Sequence, residues 1–156
     1  MKRIAVVLGI AAVAMSAAVT VAQARVATNE TVSYFYSGFV PCANGGAGEL
    51  VNGTIDAHNL VSATVNGNVE SWHFHSQLRG SLVGTVTGDT YRLTGITHES
   101  DHDVLRNGDY VLNYQSTYQL IGPGPGNNLR VHETAHITIH DDEVVSQHDD
   151  FSIDCS

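Results

Sequence analysis

The residue types best suited to chemistry form a His-Glu-x-x-His motif at His132, Glu133 and His136. On an α-helix, this spacing places two zinc ligands on one face beside a glutamate that acts as general base. The longer metalloprotease form of the motif also needs glycine at position 139 and histidine at position 142, where the chain has Ile139 and Asp142. The motif therefore indicates a zinc peptidase only if this stretch is helical.

Apolar and polar residues alternate through the same stretch. Val131, Ala135, Ile137 and Ile139 would share one side of a strand, with the histidines and threonines on the other. Residues four apart on a strand are about 13 Å apart, and Glu133 would point away from both histidines. The pattern predicts a strand, in which the two histidines do not bind one zinc ion.

A better metal candidate is the set His58, His73 and His75. A predicted hairpin turn at residues 66–67 places His58 opposite His75, with His73 on the same face. Facing side chains on paired strands have Cβ atoms about 5 Å apart, so three neutral imidazoles could bind zinc or copper. The alternative is that these histidines only cover an exposed polar face.

Two weaker groups could also bind metal. A predicted three-residue loop at 141–143 places His136 opposite His148 and brings Asp150 onto the same face. Residues 98–109 are predicted to form a polar loop, in which the candidate calcium or zinc ligands are His98, Glu99, Asp101, His102 and Asp103. Their spacing matches no EF-hand pattern, so a solvated acidic loop is the preferred interpretation.

The chain after the predicted signal peptide is expected to consist of strands that are joined by turns and loops. Alternating segments bounded by turn signals predict strands at 31–39, 49–57, 58–65, 68–78, 80–87, 90–97, 110–121, 131–140 and 144–155. Residues 52–53 suggest a bulge or kink, and the Gly-Pro repeat at 122–126 predicts a surface loop. The sequence thus predicts an all-β domain at 25–156, a single antiparallel up-and-down barrel of about eight strands.

Such a barrel predicts binding of a small, mostly apolar molecule. The residues expected to line it are Tyr34, Tyr36, Trp72, Phe74, Tyr91, Tyr110, Tyr114 and Tyr118. The alternatives are that these aromatics simply fill the core, that histidines bind zinc or copper, or that the barrel is a cyclase- or isomerase-type enzyme. The sequence assigns no catalytic residue and no cofactor, because it lacks Gly-x-Ser-x-Gly and phosphate-loop motifs.

The first 24 residues have the pattern of a cleaved signal peptide. Lys2 and Arg3 precede an apolar run that is too short to span a membrane, and small residues follow at the expected cleavage site. We predict a secreted or periplasmic chain that begins at Arg25. Loss of Lys2 and Arg3 changes the formal charge from -9 to -11, which argues against binding nucleic acid or anionic lipid surfaces.

Cys42 and Cys155 lie near the two ends of the predicted mature chain. In an oxidising compartment, such a pair is more often bridged than free. In the chain-entropy description, closing so long a loop contributes about 4–5 kcal/mol of stability. The sequence therefore predicts a disulfide that joins the ends of the domain.

The chain resembles a group of small secreted bacterial proteins of unknown function. The resemblance covers most of the predicted mature chain and depends on Pro41-Cys42, the His-Glu-Thr-x-His-Ile-Thr segment at 132–138 and the final Phe-Ser-Ile-Asp-Cys at 151–155. It implies export, a β-barrel and a terminal disulfide, but no activity. In general shape, the predicted barrel is also similar to lipocalin-like and allene-oxide-cyclase-like barrels.

Overall fold

Seven antiparallel strands form one sheet in the computed structural model, which describes residues 23–104 and 108–156. The strands pair in chain order and are β1 Gln23–Val40, β2 Glu49–Asn66, β3 Val69–Gly84, β4 Thr90–Val104, β5 Asp109–Ile121, β6 Leu129–His140 and β7 Glu143–Cys155. This confirms the all-β, up-and-down prediction. The predicted signal peptide lies outside the described residues, apart from its last two, which begin β1. No helix in the described part of the chain is long and apolar enough to cross a bilayer.

The sheet is not closed into a barrel, so this part of the prediction is wrong. Strands β1 and β7 each pair with a single neighbour and form the two edges. The prediction ended strands at Ala57 and Leu78, but β2 and β3 continue through these positions as strands of 18 and 16 residues. Two apparent strand ends were therefore interior positions, and the seven longer strands form an open sheet.

Two glycines allow β2 and β3 to continue where the sequence suggested a break. A Cβ atom at Gly53 would lie 2.3 Å from the carbonyl oxygen of Ser81, and one at Gly80 would lie 2.5 Å from Ile55 Cγ2. The two strands approach too closely here for any side chain, and their register runs without a shift. The predicted bulge at residues 52–53 is therefore wrong, because these glycines serve close strand packing.

The β2–β3 register differs by two residues from the prediction. Val61 lies opposite Phe74 instead of Trp72, because the turn residues are Gly67 and Asn68. Gly67 has the positive φ of 61° that this tight turn requires. A shift of two leaves every side chain on its predicted face of the sheet, since side chains alternate with a period of two.

The terminal hairpin pairs His136 with His148, as predicted. Its loop, Asp141–Asp142, has two residues instead of the predicted three, with positive φ values of 50° and 62°. A bulge in β7 beside the loop absorbs the difference, so only the two pairs nearest the loop change: Ile139 lies opposite Val144, and His140 lies opposite Glu143. The predicted loop length was wrong, although the other predicted partners are found.

The predicted acidic loop at 98–109 is also wrong over most of its length. Residues 98–104 belong to β4 and pair with β3 on one side and β5 on the other. The side chains of residues 98–103 are polar on both faces, so the alternation that marks a strand is absent from the sequence there. Backbone pairing on both edges compensates for the weak strand preference of these residues.

The hydrophobic core occupies one end of the sheet. It consists of Val40, Cys42, Ala43, Val51, Ile55, Leu82, Tyr91, Leu93, Leu120, Leu129 and Val131. The predicted disulfide between Cys42 and Cys155 closes this end, with a Cα–Cα distance of 5.6 Å. Because every residue of β7 is exposed, the disulfide and pairing with β6 are what hold this edge strand.

Candidate functional site

All nine histidines lie on one face of the sheet. Directly opposed residues on paired strands share a face, and the strand pairings assign the same face to His58, His73, His75, His98, His102, His132, His136, His140 and His148. We call this surface the histidine face. Because side chains alternate along each strand, histidines that are spread over about 90 positions of the chain lie on one surface.

The opposite surface carries every tyrosine, and we call it the aromatic face. The eight aromatics predicted to line a barrel all point to it, from Tyr34 on β1 to Tyr118 on β5. Three of them belong to the core or pack against it: Tyr91 is buried, and Tyr36 and Tyr118 are partly buried. Of the rest, Trp72 and Phe74 line a second, smaller cleft.

A cleft of about 720 Å³ crosses the sheet from β2 to β7. Its lining on the histidine face is two neighbouring rows of side chains, namely Leu60, His75, His98, Gln115 and Thr134, and Ser62, His73, Ser100, Asn113, His136 and His148. The remaining lining residues form the row between these two, whose side chains point to the aromatic face. The cleft therefore lies on the histidine face, and we call it the histidine cleft.

The closest pair of imidazoles lies inside this cleft. His75 on β3 and His98 on β4 are directly opposite each other, with their Nδ1 atoms 3.0 Å apart and their ring centroids 4.5 Å apart. At that distance, one Nδ1 must carry a hydrogen and the other must accept it. Nε2 of His75 lies 3.4 Å from the amide nitrogen of Gln77, which fixes the far side of the ring. The pair is a preformed two-nitrogen site.

Hydrogen bonds orient His136 on the other side of the cleft. Its Nδ1 lies 2.8 Å from Asn113 Oδ1, and its Nε2 lies 3.1 Å from Thr138 Oγ1. His148 lies directly opposite His136 on β7, as the sequence predicted. Asp150, the third member of that predicted group, lies on the same face opposite Thr134, but it does not line the cleft.

His58 is separated from its predicted partners. It lies opposite Gln77, and its Nε2 is 2.9 Å from Asn29 Oδ1. His73, by contrast, packs its ring edge-on against His102 at a centroid distance of 6.1 Å. The two-residue shift in register moved His58 away from His75, and His58 does not line the histidine cleft.

Among the described residues, one group brings three metal-ligand side chains within 4.8 Å of one another: Asp109, His140 and Asp141. His140 Nδ1 lies 2.6 Å from Asp109 Oδ1, and the pKa of His140 is raised by this hydrogen bond, with further help from the charges of Asp109 and Asp141. Sequence reasoning missed this group, because it forms only when β5 and β6 pair. Two of its members are fully exposed, and an ion pair is enough to explain it.

The His-Glu-x-x-His segment is a strand, which confirms the prediction and excludes the zinc peptidase geometry. His132 and His136 lie on the histidine face, whereas Glu133 points to the aromatic face opposite Ser116. His132 Nδ1 lies 2.9 Å from Thr117 Oγ1. The motif is therefore part of the alternating pattern of β6, and its glutamate cannot serve a metal bound by these histidines.

The one buried carboxylate of the described residues has a structural role. Glu49 accepts hydrogen bonds from the backbone nitrogens of Val86 and Thr87, from Thr87 Oγ1 and from the phenol of Tyr91. Burial opposes its ionisation, but these bonds outweigh burial and lower the pKa of Glu49, while burial and the bond to Glu49 raise the pKa of Tyr91 to about 12. A carboxylate saturated in this way holds the β3–β4 turn and is not an available acid or base.

A second cleft, of about 370 Å³, lies on the aromatic face. It is lined by Val61, Trp72, Phe74, Glu99 and Asp101, together with His73 of the intervening row. The sequence had placed these two acids in a loop together with His98 and His102. The strand separates them, with the acids on the aromatic face and the histidines on the histidine face.

Comparison with known proteins adds no identity. The chain matches no protein-family model, no curated protein and no solved structure.

Proposed function

We propose that the protein binds a small molecule in the histidine cleft. The observation that supports this proposal is the cleft itself, about 720 Å³ in volume, whose wall includes five of the nine histidines. Clefts of this size are typical of small-molecule sites, which combine apolar surface with a few placed polar groups. An apolar ligand, as the sequence predicts, would contact Leu60, but most of the side chains that line the cleft are polar.

The lining favours a ligand with a flat apolar body and hydrogen-bonding or weakly acidic groups. Imidazole rings offer both an apolar surface and a polar edge, and neutral imidazole provides one donor and one acceptor. No arginine is among the described residues that line the cleft, and these residues give a strongly anionic ligand no permanent counter-charge.

The proposal includes export from the cytoplasm. Cys42 and Cys155 form a disulfide. Disulfides are stable in oxidising compartments and rare in the cytosol. The first 24 residues carry the charged start and the apolar run of a signal peptide. These two features together support a secreted or periplasmic binding protein.

Filling the cleft tests the proposed site. Ser100 lies on the cleft wall between His73 and Asn113, so Ser100→Phe would occupy its centre. Ser81→Phe is the matched control, since Ser81 is exposed on the same face of β3 but lies outside the cleft. Binding of the uncharged aromatic dye N-phenyl-1-naphthylamine, measured by fluorescence and native mass spectrometry, should fall at least about tenfold only in Ser100→Phe. Equal binding by the two variants would refute the site.

A second candidate function is transition-metal binding, which the His75–His98 pair favours. Two nitrogens that bind one tetrahedral zinc at about 2.0–2.1 Å lie about 3.3 Å apart. The observed Nδ1–Nδ1 distance is 3.0 Å, so a metal ion could replace the shared proton after little movement. The remaining coordination positions would be open to water or to a ligand in the cleft.

Calorimetry with zinc and copper tests this second candidate. His75→Ala and His98→Ala should each weaken binding at least about tenfold, because a single imidazole is a poor site. His132→Ala is the control, since His132 is on the same face but bonded to Thr117 outside the cleft. A similar loss in all three variants would indicate nonspecific binding by the histidine face.

A further inference from the structure

The two faces of the sheet differ in charge as well as in ring type. Among the side chains that the structure describes, Arg79, Arg92 and Arg130 lie on the histidine face with all nine histidines. The backbone of Arg25 pairs with Ala63, whose side chain is on the aromatic face. The aromatic face nevertheless carries Glu30, Glu49, Glu70, Glu99, Asp101, Asp103, Glu133 and Asp149. The described ionisable side chains of this face are therefore carboxylates and phenols.

Aromatic rings and carboxylates alternate around the 370 Å³ cleft on this face. Trp72 lies directly opposite Asp101, and Phe74 lies directly opposite Glu99, so two rings from β3 meet two acids from β4. The next pair along the same strands adds two more acids, Glu70 and Asp103. Trp72 is 40% exposed, which leaves much of its large apolar surface open to a ligand.

The carboxylates of this cleft are partly desolvated, and one oxygen of Asp101 lacks a partner. Burial, together with the charge of Asp101, raises the pKa of Glu99. Asp101 Oδ1 is buried and has no hydrogen-bond partner. Burial also raises the pKa of Tyr110, to which the charge of Asp101 and a hydrogen bond with it contribute. Each observation indicates negative charge that a bound cation would stabilise.

We propose that this cleft binds an organic ammonium ion. Ammonium groups bind to the faces of tryptophan and phenylalanine through the ring quadrupole, and carboxylates add direct attraction. A metal ion fits less well, because the one group of three metal-ligand side chains that converge within 4.8 Å among the described residues is Asp109, His140 and Asp141, outside this cleft. Acids that are spread around two rings match a larger, weakly hydrated cation. This site is independent of the histidine cleft on the opposite face.

Trp72 is the only tryptophan of the chain, so its fluorescence reports directly on the cleft. Tetramethylammonium chloride should change its emission saturably, with a dissociation constant on the order of 1 mM, whereas sodium chloride at equal ionic strength should not. Choline should compete with tetramethylammonium. An emission that does not respond, or that responds equally to sodium, would overturn the proposal.

Variants separate an ammonium site from simple attraction to acid. Trp72→Leu keeps an apolar side chain without the indole ring and should weaken tetramethylammonium binding at least about threefold by calorimetry. Glu99→Gln should weaken it about fivefold. Glu133→Gln is the control, because Glu133 is exposed on the same face outside the cleft, and it should bind normally. Unchanged affinity in Trp72→Leu, with calcium competing at equal strength, would contradict an ammonium site.

The trimethylammonium group occurs both in soluble amines and in the headgroup of phosphatidylcholine. Retention of the folded protein on phosphatidylcholine vesicles, reversed by excess choline, would identify a headgroup as the source. Choline binding without vesicle retention would identify a soluble amine. Retention that choline does not reverse would overturn the proposal, because the vesicles would then be bound by another surface.

Discussion

Nδ1 of His75 lies 3.0 Å from Nδ1 of His98, across two neighbouring strands and inside a cleft of about 720 Å³. Two imidazoles so close need either a shared proton or a common ligand. The pair arises because β3 and β4 present histidines to the same face at directly opposed positions. All nine histidines follow the same rule, so the surface is a property of the whole sheet.

The disulfide should be the largest single contribution to stability. Cys42 and Cys155 are 113 residues apart in sequence, and in the chain-entropy model a loop of that length contributes about 4–5 kcal/mol. The double variant Cys42→Ser/Cys155→Ser should lose most of that free energy of unfolding in urea. The reduced native protein is its control and should match it. A loss below about 1 kcal/mol would show that β7 is held by pairing with β6 alone.

Replacing the buried Glu49 should make the free energy of unfolding less dependent on pH in the acid range. Its folded pKa is lowered, so its contribution is present above the unfolded value of 4.5 and is lost as pH falls through the folded pKa. Glu49→Gln should therefore be less stable than the native protein at pH 7, and the two should converge at low pH. Urea unfolding at several pH values measures this. A constant difference from neutral to acid pH would contradict the assigned role.

Removing only the phenol that donates to Glu49 should have a smaller effect. Tyr91→Phe keeps the buried ring and deletes one hydrogen bond to a charged group, which costs about 1.5–3 kcal/mol. Tyr34→Phe is the control, because the Tyr34 side chain is exposed, and it should be neutral. Equal stability of the two variants in urea would show that the hydrogen bond contributes nothing.

Glu99→Gln should stabilise the protein at neutral pH. The folded pKa of Glu99 is raised by burial and by Asp101, so the ionised form is disfavoured in the fold. This favours folding at a pH below the unfolded value of 4.5, and the advantage is lost as pH rises through the folded pKa. Thermal unfolding should show a higher midpoint for Glu99→Gln near pH 7 and no gain at low pH. A lower midpoint at pH 7 would contradict this account of Glu99.

His140 should titrate above the ordinary histidine value of 6.5. The hydrogen bond and the charge of Asp109 favour its protonated form, so the ion pair stabilises the fold below pH 6.5 and is lost as pH rises through the raised pKa. In NMR titrations, Asp109→Asn should bring the His140 transition back toward 6.5. Asp150→Asn is the control. An unchanged His140 titration in Asp109→Asn would exclude this pairing.

Much of the fold is readable from the sequence because alternation is a local property. The strands β5, β6 and β7, the disulfide and the face of each histidine on β2, β3 and β6 were all predicted. The end of β4 was not predicted, because Glu99, Asp101 and Asp103 are as polar as the residues between them, Ser100 and His102. The strand nature of that segment depends on its two neighbours, which a local pattern does not report.

The open sheet and the sites depend on information that is absent from single segments. Strand lengths decide whether β1 pairs with β7. The lengths of β2 and β3 were underestimated, because Gly53 and Gly80 resemble breaks in a strand. The His75–His98 contact needed the register of β3 against β4, and His98 had been placed in a loop. The prediction thus found the right residue types, but combined His75 with His58 instead of His98.

Side-chain NMR of the histidines tests the central claim most directly. Long-range ¹H–¹⁵N spectra of the protein, titrated with the uncharged aromatic dye N-phenyl-1-naphthylamine, would report each imidazole separately. The account predicts saturable shifts for His73, His75, His98, His136 and His148, which line the cleft, and small shifts for His58, His102, His132 and His140, which do not. Shifts spread evenly over all nine histidines, or confined to the second group, would contradict a binding site in the histidine cleft.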